Sequence, residues 1–295
     1  MWQKITKILK SSYTTIFVIV IIVIFSLISY YVISFGKEFL SFATSESYSD
    51  TSSTETTPVT EDCNVSGISI HGAIVTYNGN NAYNDQDKLI LDQTASDGIQ
   101  WAVKQANDNE KIKAIVVEID SYGGSAVAGE EIMRDFKDSK KPVVAFIRDV
   151  GVSAGYMAAT GAETIFASRF STVGSIGVTQ SYLQNADKNT KEGLTYIDLA
   201  SGPYKDSGNP DKPLTEAEKQ LFMRDINIMY NDFINIVAKN RNLSVDKVKA
   251  LADGSTVMGE AALKAGLIDK IGLYPDVINF LSEKIGAPDT VCWQN

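Results

Sequence analysis

Residues 68–167 alternate apolar strand-like runs with helical segments, and this alternation constrains the fold more than any other feature of the sequence. Lys113–Ile119 (KAIVVEI) and Pro142–Ile147 are apolar over the length of a buried strand, whereas Ala95–Asn107 and Ala126–Phe136 have apolar residues at helical spacing. Strands that alternate with helices are joined by right-handed crossovers and form a parallel sheet covered by helices. The sequence therefore predicts an α/β domain with a mainly parallel sheet, followed by a mostly helical C-terminal third.

The N-terminal region contains an uncharged apolar run from Ile16 to Phe35. Twenty residues of helix span about 30 Å, the thickness of the hydrocarbon core of a bilayer. Three lysines precede the run, at positions 4, 7 and 10, and Lys37 alone follows it closely. The positive-inside rule then places the N-terminus in the cytoplasm. We expect a single-pass anchor in contact with membrane lipid; a cleaved secretory signal is the alternative.

These features divide the chain into four parts. Residues 1–15 are expected to form a cytoplasmic tail and residues 16–36 the transmembrane helix. Residues 37–63 are rich in serine, threonine and acids, which cannot build a core, and are predicted to be a flexible linker. Residues 64–295 are expected to form the extracytoplasmic domain of a cell-membrane protein.

Composition excludes several classes of function. The net charge is −9 and the isoelectric point is near 4.8, which argues against a nucleic-acid partner. A single histidine and two cysteines cannot build a His-rich or four-Cys metal site, so we predict no metal and no cofactor. In an oxidising compartment Cys63 and Cys292 could pair, and two unpaired thiols are the alternative.

Two predicted strand ends carry groups suited to catalysis. Gly123 and Gly124 follow the strand Lys113–Ile119, where uncovered N–H groups near a helix could hold an oxyanion; an ordinary turn is the alternative. Ser153 stands between Gly151 and Gly155 where a strand is predicted to become a helix, the geometry that a nucleophile elbow requires. A helix-capping serine would give the same pattern. An α/β-hydrolase is excluded because no histidine follows the serine.

A serine nucleophile needs a base, and the sequence offers two candidates. His71 lies inside a predicted strand and is interpreted as structural. Lys205 lies in a loop rich in glycine, proline and serine, directly after the strand-like Leu194–Leu199. A lysine can accept a proton when it is removed from water and held neutral. By itself, the position of Lys205 in this loop is weak evidence for a catalytic role.

Taken together, these segments resemble the signal peptide peptidase A family, membrane-anchored Ser/Lys peptidases with the Clp protease/crotonase-like (ββα superhelix) fold. The matching segments occur in family order over about residues 66–275 and are Asp120–Ser125, Ala128–Ile132, Lys141–Ala145, Asp149–Tyr156, Val173–Val178, Ser201–Asp206 and Ala261–Asp269. The resemblance implies a serine endopeptidase that degrades released signal peptides and other unfolded peptides. It also implies a homo-oligomer with the active sites on its interior.

The resemblance assigns a role to each matching residue. It implies that Ser153 is the nucleophile, that Lys205 is the general base, and that Ser175 orients the lysine. The oxyanion hole corresponds to the Gly123–Gly124 turn and to the N–H of Ala154. The chain departs from the common family pattern in two places, with Tyr122 in place of proline and Ala154 in place of glycine. A catalytically inactive peptide-binding scaffold and a crotonase-type acyl-CoA enzyme are the alternatives.

Overall fold

The computed structural model describes residues 63–77 and 92–294. In this part of the chain the strands are β1 Val65–Val75, β2 Gln93–Ala95, β3 Ala114–Gly124, β4 Val143–Val152, β5 Thr164–Ala167, β6 Thr172–Gly174, β7 Thr256–Met258, β8 Lys270–Ile271 and β9 Val291–Gln294. The helices are α1 Ser96–Asp108, α2 Ala126–Lys137, α3 Ala154–Ala159, α4 Ala186–Lys191, α5 Glu216–Arg241, α6 Val245–Lys249, α7 Gly259–Ala265 and α8 Tyr274–Ile285.

The strands form one sheet in the order β2-β1-β3-β4-β5-β8. Two strands have a neighbour that changes along their length: β1 pairs with both β9 and β2 on one edge, and β4 pairs with both β5 and β6. Every pairing is parallel except that of β6 with β7. The predicted α/β domain with a mostly parallel sheet is confirmed.

The two faces of the sheet are buried by different helices, as the alternation of side chains along a strand requires. In β3, Ile115, Val117 and Ile119 face a large core that α1, α2, α3 and α5 complete. The intervening Ala114 and Val116 face a smaller core closed by α8. Continuous apolar strands such as β3 are therefore explained by burial on both faces.

Two strands run further than the sequence suggested. The residues after Ile119 were expected to form a turn, but β3 continues to Gly124 through a register shift, because Ser121 lies opposite Gly151 of β4 and Gly123 lies opposite Ala73 of β1. Similarly, β4 continues to Val152, because β6 pairs with its last residues after β5 has ended. This extension places Gly123 against Ser153, directly after the end of β4, and Gly124 against Ile74 of β1.

The strand-like run Leu194–Leu199 forms no strand in the structure. Its apolar side chains are exposed, and Leu199 is 94% exposed. A strand requires a hydrogen-bonded neighbour, and the described part of this single chain supplies none at this place.

The expected tail, anchor and most of the linker, residues 1–62, lie outside the described residues. Within residues 63–77 and 92–294, no helix combines the length and the hydropathy that crossing a membrane requires.

The two ends of the described chain are joined covalently. Cys63 and Cys292 form a disulfide, with their Cα atoms 5.8 Å apart. Cys292 belongs to β9, which pairs in parallel with the beginning of β1, directly after Cys63. The bond therefore fastens the last strand to the first.

Candidate active site

Two serines lie side by side at the carboxyl ends of the paired strands β4 and β6. Ser153 follows β4 and Ser175 follows β6, and the N–H of Ser153 donates to the carbonyl of Gly174 at 2.8 Å. Both serines have positive φ angles, 52° for Ser153 and 48° for Ser175. Such conformations are strained for residues other than glycine and concentrate at functional sites. The pairing of β4 with β6 brings together two residues to which the resemblance assigns separate catalytic roles, the nucleophile and the serine that orients the lysine.

Ser153 occupies the sharp bend between a strand and a helix. Its backbone, with φ 52° and ψ −127°, directs the chain from β4 straight into α3, and its side chain makes no capping hydrogen bond to that helix. The carbonyl of Ser153 instead accepts the N–H of Met157 at 2.9 Å. As Ala154 is the first residue of α3, its N–H has no partner within the helix. The structure therefore does not support a helix-capping serine.

Gly123 lies directly against the candidate nucleophile. A Cβ atom at Gly123 would be 2.8 Å from Ser153 Cβ and 2.9 Å from the nitrogen of Ala154. With φ at 98°, this position also favours glycine on conformational grounds. The N–H of Gly123 donates to Ser121 Oγ at 3.0 Å, whereas Gly124 and Ala154 line the cavity beside Ser153.

The cavity in front of Ser153 has a volume of about 460 Å³. One wall comes from α5, through Ile226, Met229, Tyr230 and Phe233. These residues recur at intervals of three and four, which places them on one face of the helix. The cavity is therefore largely apolar opposite the serine. The sequence predicts a mostly helical C-terminal third but not which helix face reaches the site. The apolar residues at helical spacing in α5 are the signal from which this face could have been identified.

The opposite rim of the cavity is formed by the loop before β7. Ser175 Oγ donates to the carbonyl of Gly254 at 2.9 Å, and the N–H of Ser175 donates to the carbonyl of Ser255 at 3.0 Å. Asp253 lies on the same rim, where hydrogen bonds from the side chain and N–H of Ser255 lower the pKa of its carboxyl. Since the Ser175 hydroxyl hydrogen points to Gly254, its lone pairs remain available to accept a further donor.

Lys205 is not brought to this cavity within one chain. It lies in a turn, where its N–H donates to the carbonyl of Gly202 at 3.2 Å, and its side chain is exposed. Across residues 63–77 and 92–294 the Lys205 amine forms no hydrogen bond or ion pair. The structure thus unites Ser153, Ser175, Gly123, Gly124 and Ala154 and leaves the proposed base apart from them.

The other candidate base, His71, does not line the cavity. His71 lies in β1, and its Nε2 is 3.5 Å from Glu118 Oε1, away from Ser153. Nowhere in the described ranges do three histidine, cysteine or acidic side chains gather in a way that could hold a metal ion.

Comparisons with known proteins find similarity to peptidases over the region that contains these candidate residues. The family model described as peptidase family S49 matches residues 135–287, a range that includes Ser153, Ser175 and Lys205. A provisionally named protease of Methanocaldococcus jannaschii is 32% identical over 220 residues, which cover 70% of this chain and 71% of that protein. A provisionally named signal peptide peptidase SppA of Enterococcus faecium is 32% identical over 185 residues.

The alignment with the Enterococcus faecium protein covers 62% of this chain and 54% of the relative, so the chain spans about half of that protein's length. Among solved structures, a mutant of ClpP1 from Listeria monocytogenes aligns with 71% of this chain and 92% of its own. The sequence identity in that alignment is 15% and the TM-score is 0.44.

Proposed function

Because this chain belongs to peptidase family S49, we propose that it is a serine endopeptidase with Ser153 as nucleophile and Lys205 as general base. The observation that carries the proposal is the strained bend at Ser153, which opens onto an apolar cavity and against which Gly123 packs too closely to carry a side chain. The family is one of peptidases, so an acyl-CoA enzyme is not supported.

The proposed reaction begins with proton transfer. The Lys205 amine takes the hydroxyl proton of Ser153 and becomes an ammonium, and Ser153 Oγ forms a bond to the carbonyl carbon of the scissile peptide. The negative charge that develops on the carbonyl oxygen is held by the N–H groups of Gly124 and Ala154. Removing one such donor costs an acyl-transfer enzyme about 100- to 1,000-fold in kcat. These two donors are proposed because the N–H of Gly123 is directed to Ser121 Oγ.

The tetrahedral intermediate then collapses. The carbon–nitrogen bond breaks, and the Lys205 ammonium returns its proton to the departing amine, which leaves an acyl ester on Ser153. Water then attacks the ester carbon and gives a proton to Lys205. The bond between the acyl carbon and Ser153 Oγ breaks, Lys205 returns the proton to Oγ, and the acid product is released. In this scheme Ser175 accepts a hydrogen bond from the lysine amine, for which its hydroxyl orientation toward Gly254 is suitable.

The exposed position of Lys205 supports a dyad formed between two copies of the chain. The loop that carries it also exposes Leu194, Ile197 and Leu199, apolar residues that are uncovered in the described part of one chain. Covering such a surface favours association. We therefore propose a closed homo-oligomer in which Lys205 of one protomer meets Ser153 and Ser175 of the next.

The substrate class follows from the cavity and the N-terminal sequence. The apolar wall of α5 supports peptides with an apolar side chain next to the scissile bond, as in the core of a signal peptide. The apolar run at residues 16–36 supports action at a membrane, with the catalytic domain outside the cytoplasm. Released signal peptides and other unfolded peptides at the membrane fit both features.

A mixing experiment tests the proposal. Full-length Ser153→Ala and Lys205→Ala variants are each expected to be inactive toward an unfolded protein substrate and to stay folded. When the two are dissociated together and reassembled, a dyad between protomers restores about a quarter of the wild-type sites, because each interface joins residues from two chains. A dyad within one chain restores none.

A serine-reactive phosphonate probe provides the control. Wild-type protein should be labelled at Ser153, and the Ser153→Ala variant should not. Substantial cleavage by purified Ser153→Ala, or absence of any labelling in the wild type, would show that this serine is not the nucleophile. The second result would instead favour a peptide-binding scaffold.

A further inference from the structure

The loop that carries Lys205 contains a cluster of charged side chains that the proposed mechanism does not use. Residues 192–215, between α4 and α5, form neither helix nor strand. Their conformation therefore depends on turns and side-chain contacts rather than on a backbone ladder. We call Asp198, Asp206, Lys212 and Glu218 the Lys212 cluster.

Lys212 lies at the centre of this cluster. Its Nζ is 3.0 Å from Glu218 Oε1, 3.6 Å from Asp198 Oδ2 and 3.8 Å from Asp206 Oδ2. The Lys212 side chain is 19% exposed and that of Glu218 only 3%, so the shortest pair is largely shielded from water. The close contact with the Glu218 carboxylate raises the pKa of Lys212 above its usual range. A shielded pair of this kind fixes geometry more firmly than an exposed one.

Asp206 connects the cluster to the neighbouring Lys205. The phenol of Tyr196 donates to Asp206 Oδ2 at 2.6 Å, and Asn209 Nδ2 donates to Asp206 Oδ1 at 3.2 Å. These hydrogen bonds lower the pKa of the Asp206 carboxyl, which therefore stays ionised near neutral pH. Both oxygens of the residue next to Lys205 are thus occupied, and this restrains the turn in which the lysine lies.

Glu218 connects the cluster to the helix that lines the candidate active site. Its Oε2 accepts the N–H of Thr215 at 2.9 Å and the Thr215 hydroxyl at 2.8 Å, completing a capping box at the start of α5. Further along the same helix, Tyr230 and Phe233 line the Ser153 cavity. Ion pairs and hydrogen bonds therefore connect the Lys205 turn to the first turn of the helix whose later residues form the cavity wall.

We propose that Lys212 is a positioning residue for the base. By gathering Asp198, Asp206 and Glu218 around one ammonium, it holds the Lys205 turn on the first turn of α5 and presents the lysine in one orientation. The inference rests on the proposed function, in which Lys205 is the base. A misplacement of about 1 Å in a catalytic group lowers a rate by about 100-fold, so this support matters although Lys212 touches no substrate.

The principal test is Lys212→Met in the full-length chain, assayed with an internally quenched leucine-rich peptide. We expect kcat to fall about 10- to 100-fold while KM changes by less than about twofold, because the peptide-binding cavity is left intact. Lys212→Arg should recover most of kcat, since a guanidinium keeps the charge and can contact several carboxylates. Thermal unfolding and sedimentation verify that each variant is folded and assembled.

Two further variants make the test specific. Lys219→Met removes the same charge from the first turns of α5. The Lys219 side chain is 61% exposed, and its nearest carboxylate oxygen, on Glu216, is 4.0 Å away, so the ion pair is weak. This variant should therefore leave kcat unchanged. Tyr196→Phe removes the phenol hydrogen bond to Asp206 but leaves the buried Lys212–Glu218 pair in place. It should lower kcat, by less than Lys212→Met does, and it carries the test if Lys212→Met does not fold.

The inference is overturned if folded Lys212→Met keeps wild-type kcat, or if Lys219→Met loses as much activity as Lys212→Met. Where Lys212→Met does not fold, wild-type kcat in Tyr196→Phe overturns it. Lys205→Ala, measured in parallel, separates this failure from that of the proposed function. An active Lys205→Ala variant would refute the Ser/Lys dyad itself. An inactive Lys205→Ala beside a fully active Lys212→Met would refute only the positioning role.

Discussion

The close approach of Gly123 to Ser153 gives the sharpest test of the site. In Gly123→Ala the new Cβ would lie 2.8 Å from Ser153 Cβ, 2.9 Å from the Ala154 nitrogen and 3.1 Å from Ser153 Oγ. Two of these neighbours are fixed by the backbone at the bend, so Ser153 and Ala154 must move. In addition, the φ of 98° at this position is unfavourable for alanine. The substitution therefore disturbs the nucleophile and an oxyanion donor at once.

The magnitude follows from these two effects. A residue held in a sparsely populated conformation costs about 1–3 kcal/mol, and we expect the free energy of unfolding to fall by about 2–3 kcal/mol when the contact is included. For a domain of this size that corresponds to a decrease of about 4–12 °C in Tm. Displacing one oxyanion donor should lower kcat about 100- to 1,000-fold.

The assay compares peptide cleavage and thermal unfolding of Gly123→Ala with those of Gly98→Ala. Gly98 lies in the first turn of α1, and a Cβ there would meet no atom within 4 Å. This control should keep wild-type activity and gain up to about 1 kcal/mol in unfolding free energy. If Gly123→Ala is folded and cleaves peptide at close to the wild-type rate, the placement of the oxyanion site beside Gly123 is wrong.

Two further predictions concern stability. Replacing both Cys63 and Cys292 by serine removes a disulfide between residues 229 positions apart and should lower the unfolding free energy by about 2–5 kcal/mol. Denaturant unfolding measures this change, and an unchanged midpoint would contradict the prediction. Glu218, whose pKa the Thr215 N–H and hydroxyl lower to about 2, stabilises the fold fully above pH 4.5 and loses this contribution as pH falls to 2. Glu218→Gln should flatten the Tm profile between these values, unlike the exposed control Glu216→Gln.

Much of the sheet could be predicted from the sequence because its signals are local. Ala114–Val117 is apolar at four successive positions, which burial on both faces explains, and this run forms the first part of β3. The bend at Ser153 was also predictable, because small residues surround a serine where an apolar strand gives way to a helix. Leu194–Leu199 shows the limit: its pattern suits a strand, but no pairing partner is present in the described part of one chain.

The sequence by itself determined the α/β class, the candidate nucleophile and the motif around Lys205, since each depends on residues close together along the chain. Only the tertiary structure decided which distant residues meet. The pairing of β6 with β4 placed Ser175 beside Ser153, and α5 supplied Tyr230 and Phe233 to the cavity wall. The tertiary structure also showed that Lys205 lies apart from the Ser153 cavity within one chain. Such contacts depend on strand register and helix rotation, which the packing of the whole core sets.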